Sequence, residues 1–165
     1  MDHRGTIKGG CLFFLRGPLS QWHKASMTDA DGITYNCCEQ YMMYKKAMLF
    51  GDAETAAEIL NAKNSRDQKA LGRKVRGFDS EVWDKHKNQI VFAGNLLKFS
   101  QNPELRELLR ETGKLEIVEA NGEDRIWGIG MYEDDPEILN RSKWGENCLG
   151  KAIMRVRDKL FAEEV

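Results

Sequence analysis

The sequence TYNCCEQYMMYKKAMLFGD, residues 34–52, contains the clearest helix start and stop signals in the chain. Asn36 is a suitable N-cap, and Glu39 follows three residues later as in a capping box, so a helix is expected from there to Phe50. The glycine of the FGD triplet ends this helix, and Asp52 then caps a second one that reaches about residue 62. Two consecutive helices joined by a glycine turn are therefore predicted.

The residues on the N-terminal side of this stretch predict strands. Residues 6–15, TIKGGCLFFL, are expected to form one strand that ends in a loop at Arg16-Gly17-Pro18. Asp31-Gly32 is a turn signal flanked by residues 23–27 and 33–35, so a β-hairpin is expected there. A sheet component therefore accompanies the helices.

The residues that follow are mostly helical in pattern. Ser65 with Gln68 resembles a second capping box and predicts a short helix to about residue 75. Residues 80–100 predict a long amphipathic helix, since apolar and ring side chains recur at steps of three and four. Asn102-Pro103 opens another helix, which Gly113 ends. The face of the long helix is formed by Val82, Trp83, His86, Ile90, Ala93 and Leu97.

Strand patterns return near the C-terminus. Residues 114–120, KLEIVEA, alternate and predict a strand, and residues 125–130, RIWGIG, predict a second one loosened by its glycines. Asn147 is expected to cap a final helix to about Phe161. The whole pattern predicts an α+β fold, a helix-rich single domain over residues 1–165 with a small β-sheet.

The composition excludes several classes of protein. The 165 residues carry a net charge of −1, so the strongly basic footprint of a general nucleic-acid binder is absent. The four cysteines form no C-x-x-C pair and the three histidines are scattered, so free thiols are expected rather than a metal site or disulfides. The apolar residues 11–15 are too few for a membrane span or a signal peptide. We therefore expect a cytoplasmic monomer without cofactor, metal or membrane partner.

Glu39 and Lys46 are the residues best placed for chemistry. They are seven residues apart, nearly two helical turns, so their side chains share one face, with Met42 and Met43 on or near it. A carboxylate and an amine in apolar surroundings can do acid–base work, and a lysine with a lowered pKa can attack a carbonyl carbon. Two structural interpretations stay open: Glu39 as the capping partner of Asn36, and Lys46 as a solvated side chain at a helix end.

Four other segments carry candidate binding groups. Ser20-Gln21-Trp22 joins two hydrogen-bonding groups to an aromatic ring, and residues 125–130 join Trp127 to glycines whose N–H groups can approach a ligand. The helix start at Asn147 offers N–H groups to a phosphate, and the basic residues 69–76 could hold one. Each segment also has an ordinary interpretation: a packed loop, an edge strand, a plain N-cap and a solvated helix face.

These segments, in this order, resemble the NADAR (YbiA-like) family over about residues 12–161. No single segment decides the resemblance; the ordered combination does. The matching residues are Ser20-Gln21-Trp22, Thr34-Tyr35, Glu39-Gln40-Tyr41-Met42, Lys46, Phe50-Gly51-Asp52, Lys69-Ala70-Leu71-Gly72-Arg73, Phe78-Asp79, Val82-Trp83, Gly94-Asn95, Lys98-Phe99-Ser100-Gln101-Asn102, Leu109, Thr112-Gly113, Val118-Glu119-Ala120, Asp124 to Gly130, Trp144-Gly145, Asn147, Leu149-Gly150-Lys151, Met154 and Val156-Arg157.

The resemblance implies a helix-rich α+β fold and hydrolysis of N-glycosidic bonds to ribose. It implies two substrates: ADP-ribose attached to guanine in DNA, and a ribosylaminopyrimidine phosphate of early riboflavin synthesis. A protein that binds ADP-ribose or NAD without cutting it is the non-catalytic alternative. Glu39 and Lys46 match the catalytic positions of the family. The expected substrate-binding residues are Ser20, Gln21, Trp22, Tyr41, Arg125, Trp127, Gly128, Gly130, Asp134, Trp144, Asn147 and Lys151.

Within that set, the residue types suggest different roles. Trp22, Trp127 and Trp144 are expected to stack on a base, while Arg125 and Lys151 are expected to contact phosphate. Some members of the family have Trp-Gly-Asp-Gly where this chain has Trp-Gly-Ile-Gly at 127–130. Asp134 or Asp135 is the expected source of the missing carboxylate.

Overall fold

The computed structural model describes residues 2–164, which divide into two compact units. The first comprises residues 2–20 and 103–164, and the second comprises residues 21–102. The single-domain prediction stays a prediction. In chain order the elements are β1 (Thr6–Lys8), β2 (Cys11–Phe14), β3 (Met27–Thr28), β4 (Thr34–Tyr35), α1 (Cys38–Leu49), α2 (Ala53–Asn61), α3 (Ser65–Gly72), α4 (Ser80–Gln101), α5 (Pro103–Glu111), β5 (Glu116–Glu119) and α6 (Cys148–Phe161), with short 3₁₀ helices at Arg141–Lys143 and Ala162–Glu164.

These elements confirm the predicted α+β class, with helices dominant and small sheets. No helix within residues 2–164 is long and apolar enough to cross a membrane.

The first unit is built on a three-stranded sheet in the order β1-β2-β5. β2 is buried along its length, antiparallel to β1 and parallel to β5, with Leu12 opposite Ile117. The single strand predicted for residues 6–15 is wrong. Gly9 and Gly10 adopt φ values of 56° and 79° and turn the chain back, so this segment is a hairpin.

Helix α6 lies against β5, and a glycine permits the close approach. A Cβ atom on Gly150 would lie 2.1 Å from the carbonyl oxygen of Ile117, so only glycine fits. Asn147 precedes the helix, but its side chain does not cap it. The residue adopts φ 52°, and its amide accepts the N–H of Glu119 and donates to the Ile117 carbonyl, each at 3.0 Å. Asn147 therefore ties the helix to the sheet.

The second strand predicted near the C-terminus, residues 125–130, is not formed among the described residues. The Asp124 carboxylate instead accepts the N–H groups of Ile126 and Trp127, both at 2.9 Å. An aspartate that bonds the following amides favours a turn over a β-ladder. The segment is consequently a compact loop, in which Ile129 donates its N–H to the carbonyl of Glu119 and Gly130 donates to that of Asp124, each at 3.0 Å.

Helix α1 lies at the centre of the second unit, packed against α2, α3 and α4. It begins one residue later than predicted, because Cys37 rather than Asn36 is the N-cap and its Sγ accepts the N–H of Gln40 at 3.5 Å. The Gln40 side chain in turn accepts the N–H of Asn36 at 2.7 Å, the reciprocal bond that a capping box would assign to Glu39. Glu39 is therefore not the capping partner of Asn36.

The other boundaries of the second unit lie close to the predictions. The hairpin is confirmed, with β3 antiparallel to β4 and Met27 opposite Tyr35. Asp52 caps α2 as predicted, accepting the N–H of Thr55 at 3.1 Å. Helix α3 is capped by Asn64 rather than opened by a Ser65 capping box, and it ends earlier than predicted, at residue 72.

Helix α4 has nearly the predicted length, but a different buried face. The predicted apolar positions are only half-buried, and His86 is exposed. The buried face contains three polar side chains, which a search for apolar periodicity passes over. Its buried residues are Lys87, Val91, Gly94, Asn95, Lys98 and Phe99.

Candidate active site

Helix α1 presents Glu39 and Lys46 on one face, as predicted. Glu39 is only 4% exposed, and its backbone N–H donates to the carbonyl oxygen of Gln21 at 3.0 Å. Lys46, two turns further on, is half-buried. The loop that contains Gln21 therefore runs directly past the buried carboxylate.

The ammonium of Lys46 lies in an aromatic environment. Its Nζ is 4.8 Å from the ring centroid of Phe78 and 5.6 Å from that of Trp83. Burial lowers the pKa of Lys46; the negative charge of Glu39 opposes this effect, and the positive charge of Arg73 adds to it. Lys46 is therefore a lysine with a lowered pKa beside a buried carboxylate, rather than a freely solvated side chain at a helix end.

Close packing between α1 and α3 sets this arrangement. A Cβ atom on Gly72 would lie 1.9 Å from the Sδ of Met43, so the two helices approach through the glycine. This contact brings Arg73, the next residue, near the exposed end of α1. The segment after α3 is fixed by Arg76, whose backbone N–H and guanidinium bond the Asp52 carboxylate at 2.9 and 2.8 Å. These bonds hold the start of the loop that carries Phe78.

Gln21 has a polar atom that the protein does not satisfy. Its Oε1 accepts the Asn95 Nδ2–H at 2.8 Å, and Asn95, fully buried, also donates to the Val91 carbonyl and accepts the Cys38 thiol. These bonds fix which end of the Gln21 amide faces Asn95. The opposite end, Nε2, is buried and has no hydrogen-bond partner among the described residues. Buried donors are nearly always paired, so this Nε2 is an exception in the loop that bonds the backbone of Glu39.

The vicinal cysteines have structural roles. Cys37 caps α1 and donates to Gln68 at 3.1 Å, while burial raises the pKa of Cys38 to about 12. All four cysteines are free thiols, as expected. No group of three metal-ligating side chains comes together within residues 2–164.

Two other candidate binding residues of the second unit, Trp22 and Tyr41, differ in how exposed they are. Trp22 is 46% exposed, and the Nζ of Lys69 lies 5.9 Å from its ring, so this ring is accessible. Tyr41 is 7% exposed and meets Tyr35 edge-to-face with ring centroids 5.0 Å apart. Tyr41 packs in a core cluster on a different face of α1 from Glu39, and the structure does not bring it to the candidate site.

In the first unit, Arg125 and Trp144 were predicted to contact a ligand, and both donate hydrogen bonds to backbone carbonyls of the protein instead. Arg125 donates to the carbonyls of Lys143 and Trp144 at 3.1 and 3.3 Å. The Trp144 indole donates to Ile138 at 2.7 Å, and its ring meets Phe13 at 6.1 Å. These contacts hold the loop together and keep Trp144 against the core.

The start of α6 is likewise occupied by backbone bonds. The N–H groups of Asn147, Cys148 and Leu149 donate to the carbonyls of Gly128, Ile126 and Trp127, each at 3.0 Å. The free N–H groups expected there for a phosphate are therefore used within the unit. Of the remaining candidates, Asp134 and Lys151 are exposed, Ser20 and Trp127 are half-buried, and Gly130 adopts φ 74°.

Comparison with known proteins identifies the family. A family model described as the NADAR domain matches residues 14–161. The chain belongs to the NADAR family. It is 44% identical over 146 residues to N-glycosidase R617 of Acanthamoeba polyphaga mimivirus, covering 86% of each chain. It is 36% identical over 150 residues to Protein irg-1 of Caenorhabditis elegans, covering 89% of this chain and 71% of the relative.

The NADAR fold is confirmed by structure as well as sequence. The NMR structure of YbiA from E. coli matches with a TM-score of 0.74 and 25% identity, covering 98% of this chain and 90% of YbiA. In sequence, N-glycosidase YbiA of Escherichia coli is 28% identical over 134 residues, which is 81% of this chain and 76% of YbiA.

Sequence reasoning missed two features of this NADAR site. The amide pair Asn95–Gln21 joins residues 74 positions apart, and no local pattern connects them. Phe78 and Trp83 belong to the segments that carried the resemblance, but their position around Lys46 depends on how α3 and α4 pack. Gly94-Asn95 was also among the residues of the resemblance, but neither that match nor a polar residue within the apolar repeat of α4 indicated its bond to Gln21.

Proposed function

We propose that this protein removes ADP-ribose from guanine in DNA by hydrolysing the bond between the ribosyl C1′ and the base nitrogen. Relatives that match most of the chain are named N-glycosidases, and this chain is likewise a hydrolase that acts on N-glycosyl bonds. The proposal that the substrate is DNA goes further than this activity, and it rests on the chemistry of the site.

One observation carries the proposal: a buried carboxylate and a lysine of lowered pKa share one face of α1. Cleavage of a C1′–N bond requires a proton for the departing base and a group that stabilises or captures the developing positive charge at C1′. Glu39 can supply the proton, and the Lys46 amine can capture C1′. Binding without cleavage would require neither group.

The steps balance with water as the only co-reactant. The neutral amine of Lys46 bonds to C1′ as the bond from C1′ to the ring oxygen breaks, and one amine proton passes to that oxygen. The base nitrogen leaves with the proton of Glu39, and a protonated imine then joins Lys46 to C1′. Water then adds to that carbon, and its protons pass to the leaving amine and to Glu39. The products are guanine in DNA and ADP-ribose, whose open form recloses.

The surroundings of the pair support the role of Lys46. Phe78 and Trp83 exclude water from one side of its Nζ, and burial lowers its pKa, so a larger fraction of the amine is neutral than for a solvated lysine. Gln21, whose carbonyl accepts the backbone N–H of Glu39, has an Nε2 without a partner among the described residues, which supports a donor role toward the substrate. Trp22, the adjacent residue, exposes a ring on which a base can stack.

The test is incubation with guanine-ADP-ribosylated single-stranded DNA, followed by mass measurement of the oligonucleotide. We expect loss of the ADP-ribosyl mass with the natural protein and none with Lys46→Met, which keeps an apolar stem beside Phe78. Borohydride added during turnover should attach a reduced ADP-ribosyl group to Lys46. Turnover without this adduct would refute the imine.

Other outcomes separate the alternatives. Hydrolysis of a ribosylaminopyrimidine phosphate, with the modified DNA untouched, would replace the DNA substrate by an intermediate of riboflavin synthesis. Thermal stabilisation by ADP-ribose or NAD, without hydrolysis of either substrate, would show a binding module.

A further inference from the structure

Two cavities in the second unit share one wall. The first has a volume of about 570 Å³ and includes Trp22 and Arg66 in its lining, and the second has a volume of about 500 Å³. Lys24, Asn36 and Lys63 line both. A ligand that occupied both cavities would therefore pass between the two lysines.

The charge of this surface is positive, although the whole chain has a net charge of −1. Lys24, Lys63 and Arg66 are exposed, and within residues 2–164 none of the three takes part in an ion pair. Asp67 supplies the one carboxylate in the linings, at the end of the first cavity. Three unpaired cations close together on a nearly neutral protein favour an anionic ligand with several charges.

The backbone beneath these cations is held by buried amides. Gln40, 3% exposed, donates to the carbonyls of Ile59, Leu60 and Ala62 at 3.0, 3.3 and 3.3 Å. Gln68, fully buried, donates to the same Ala62 carbonyl at 2.9 Å and to the Asn36 side chain at 3.0 Å. The turn between α2 and α3 therefore has a fixed shape.

The same network positions both lysines. Asn36 Nδ2 donates to the Lys63 carbonyl at 3.1 Å, and the Ala25 N–H, next to Lys24, donates to the Asn36 carbonyl at 2.9 Å. Asn36 is thus bonded to the backbone on both sides of the shared wall. Loops that only need solubility do not require such an arrangement, whereas a pre-organised binding surface does.

The location connects this surface to the active site. Trp22 lines the first cavity, and its neighbour Gln21 accepts the backbone N–H of Glu39. A chain of nucleotides in the cavities that stacked one base on Trp22 would therefore approach the loop that is bonded to Glu39. Separated phosphates with stackable bases are the chemistry of a single-stranded polynucleotide, and aromatic rings beside cations are typical of its binding sites.

We propose that the two cavities, with Lys24, Lys63 and Arg66, bind the phosphates of the single strand that carries the modified base. The inference rests on the proposed function, since it extends the substrate from one nucleotide to its flanking strand. The protein thereby distinguishes a base within a strand from a free nucleoside.

The experiment compares the triple variant K24A/K63A/R66A with the matched variant K85A/K114A/K159A, which removes three exposed lysines elsewhere. The first measurement is hydrolysis of an ADP-ribosylated single-stranded oligonucleotide against hydrolysis of ADP-ribosylated guanosine. We expect the cavity variant to lose about 10- to 100-fold in kcat/KM on the oligonucleotide alone, with the matched variant near the natural protein. An equal loss on both substrates, or no loss beyond that of the matched variant, would overturn the inference.

The second measurement does not depend on hydrolysis. Binding of the unmodified oligonucleotide is followed by fluorescence anisotropy at several salt concentrations. Each phosphate contact on a single strand contributes about 0.7 to the slope of log affinity against log salt, so the cavity variant should lose about 2 from that slope. If the natural protein hydrolyses neither substrate but this slope changes as expected, the proposed function fails and the cavity assignment stands. If the natural protein does not bind the oligonucleotide at low salt, the cavity assignment fails.

Discussion

Replacement of Glu39 by glutamine separates the two roles that the structure assigns to this residue. The amide has the size of the carboxylate, so the buried position is filled, but it cannot donate a proton to a departing base. General acid catalysis is commonly worth about 10²–10⁴ in rate, which corresponds to about 3–5 kcal/mol of barrier. We therefore expect kcat on the ADP-ribosylated oligonucleotide to fall at least 100-fold.

The same change should make Lys46 more reactive. The negative charge of Glu39 raises the pKa of Lys46, while burial and Arg73 lower it. Without that negative charge the lysine pKa falls, and more of the amine is neutral at a given pH. Reaction of Lys46 with a small aldehyde and cyanoborohydride, followed by peptide mass spectrometry, should therefore be faster in Glu39→Gln than in the natural protein, and its rise with pH should begin at lower pH.

Measuring both hydrolysis and the labelling of Lys46 distinguishes the loss of a catalytic acid from a variant that fails to fold. A misfolded variant would lose hydrolysis, and Lys46 would then react like an ordinary solvated lysine, with its rise at higher pH. Hydrolysis by Glu39→Gln within tenfold of the natural rate would refute the acid role. The double variant with Lys46→Met should be no slower than the slower single variant, because the effects of substitutions on the rate do not add when both residues act in one step. A double variant whose loss equals the product of the two single losses would show that the residues act independently.

Three further predictions test the surroundings. Gln21→Leu removes the unpaired Nε2 and also the Oε1 that accepts the N–H of buried Asn95, so the free energy of unfolding in urea should fall by about 1–3 kcal/mol, while KM should rise about 2- to 10-fold for one lost hydrogen bond to substrate. Gly150→Ala places a Cβ atom against the Ile117 carbonyl. The cost of overpacking and of lost hydrogen bonds exceeds the gain in helix propensity of about 1 kcal/mol, so the free energy of unfolding in urea should fall by about 1–5 kcal/mol. An unchanged urea midpoint would contradict this. Arg73→Gln removes a charge that lowers the pKa of Lys46, so the rise of aldehyde labelling should move to higher pH; a shift to lower pH would be contrary to this electrostatic account.

The fold class and the pair on α1 could be predicted because both depend on local signals. Helix periodicity places residues seven apart on one face wherever the helix begins, so the one-residue error at the N-cap did not separate Glu39 from Lys46. The strand errors have a different origin. Gly9-Gly10 and Asp124 redirect the chain through turn conformations that apolar alternation does not register.

The rest of the site depends on contacts between distant residues. Asn95 is an ordinary polar residue in the sequence of α4, and only packing brings it to Gln21 and Cys38. Lys24 lies about forty residues before Lys63 and Arg66 in the sequence, so no run of charges indicates that the three cations come together. The basic run at 69–76, which does stand out in the sequence, contributes to the site through two different contacts: Lys69 faces the Trp22 ring, and Arg73 acts on the pKa of Lys46.

The pairing of Glu39 with Lys46 also resolves an apparent conflict in the proposed reaction. Catalysis requires a protonated acid and a neutral amine, whereas an ion pair between the two would hold both in the wrong state. The two arrangements contain the same number of protons, so they differ only by a proton transfer within the pair, and their ratio does not depend on pH. Burial destabilises both charges of the ion pair and favours the neutral arrangement, while the rings of Phe78 and Trp83 favour the ammonium. The surroundings of the pair, rather than the pH, therefore set the fraction of it that is in the reactive arrangement.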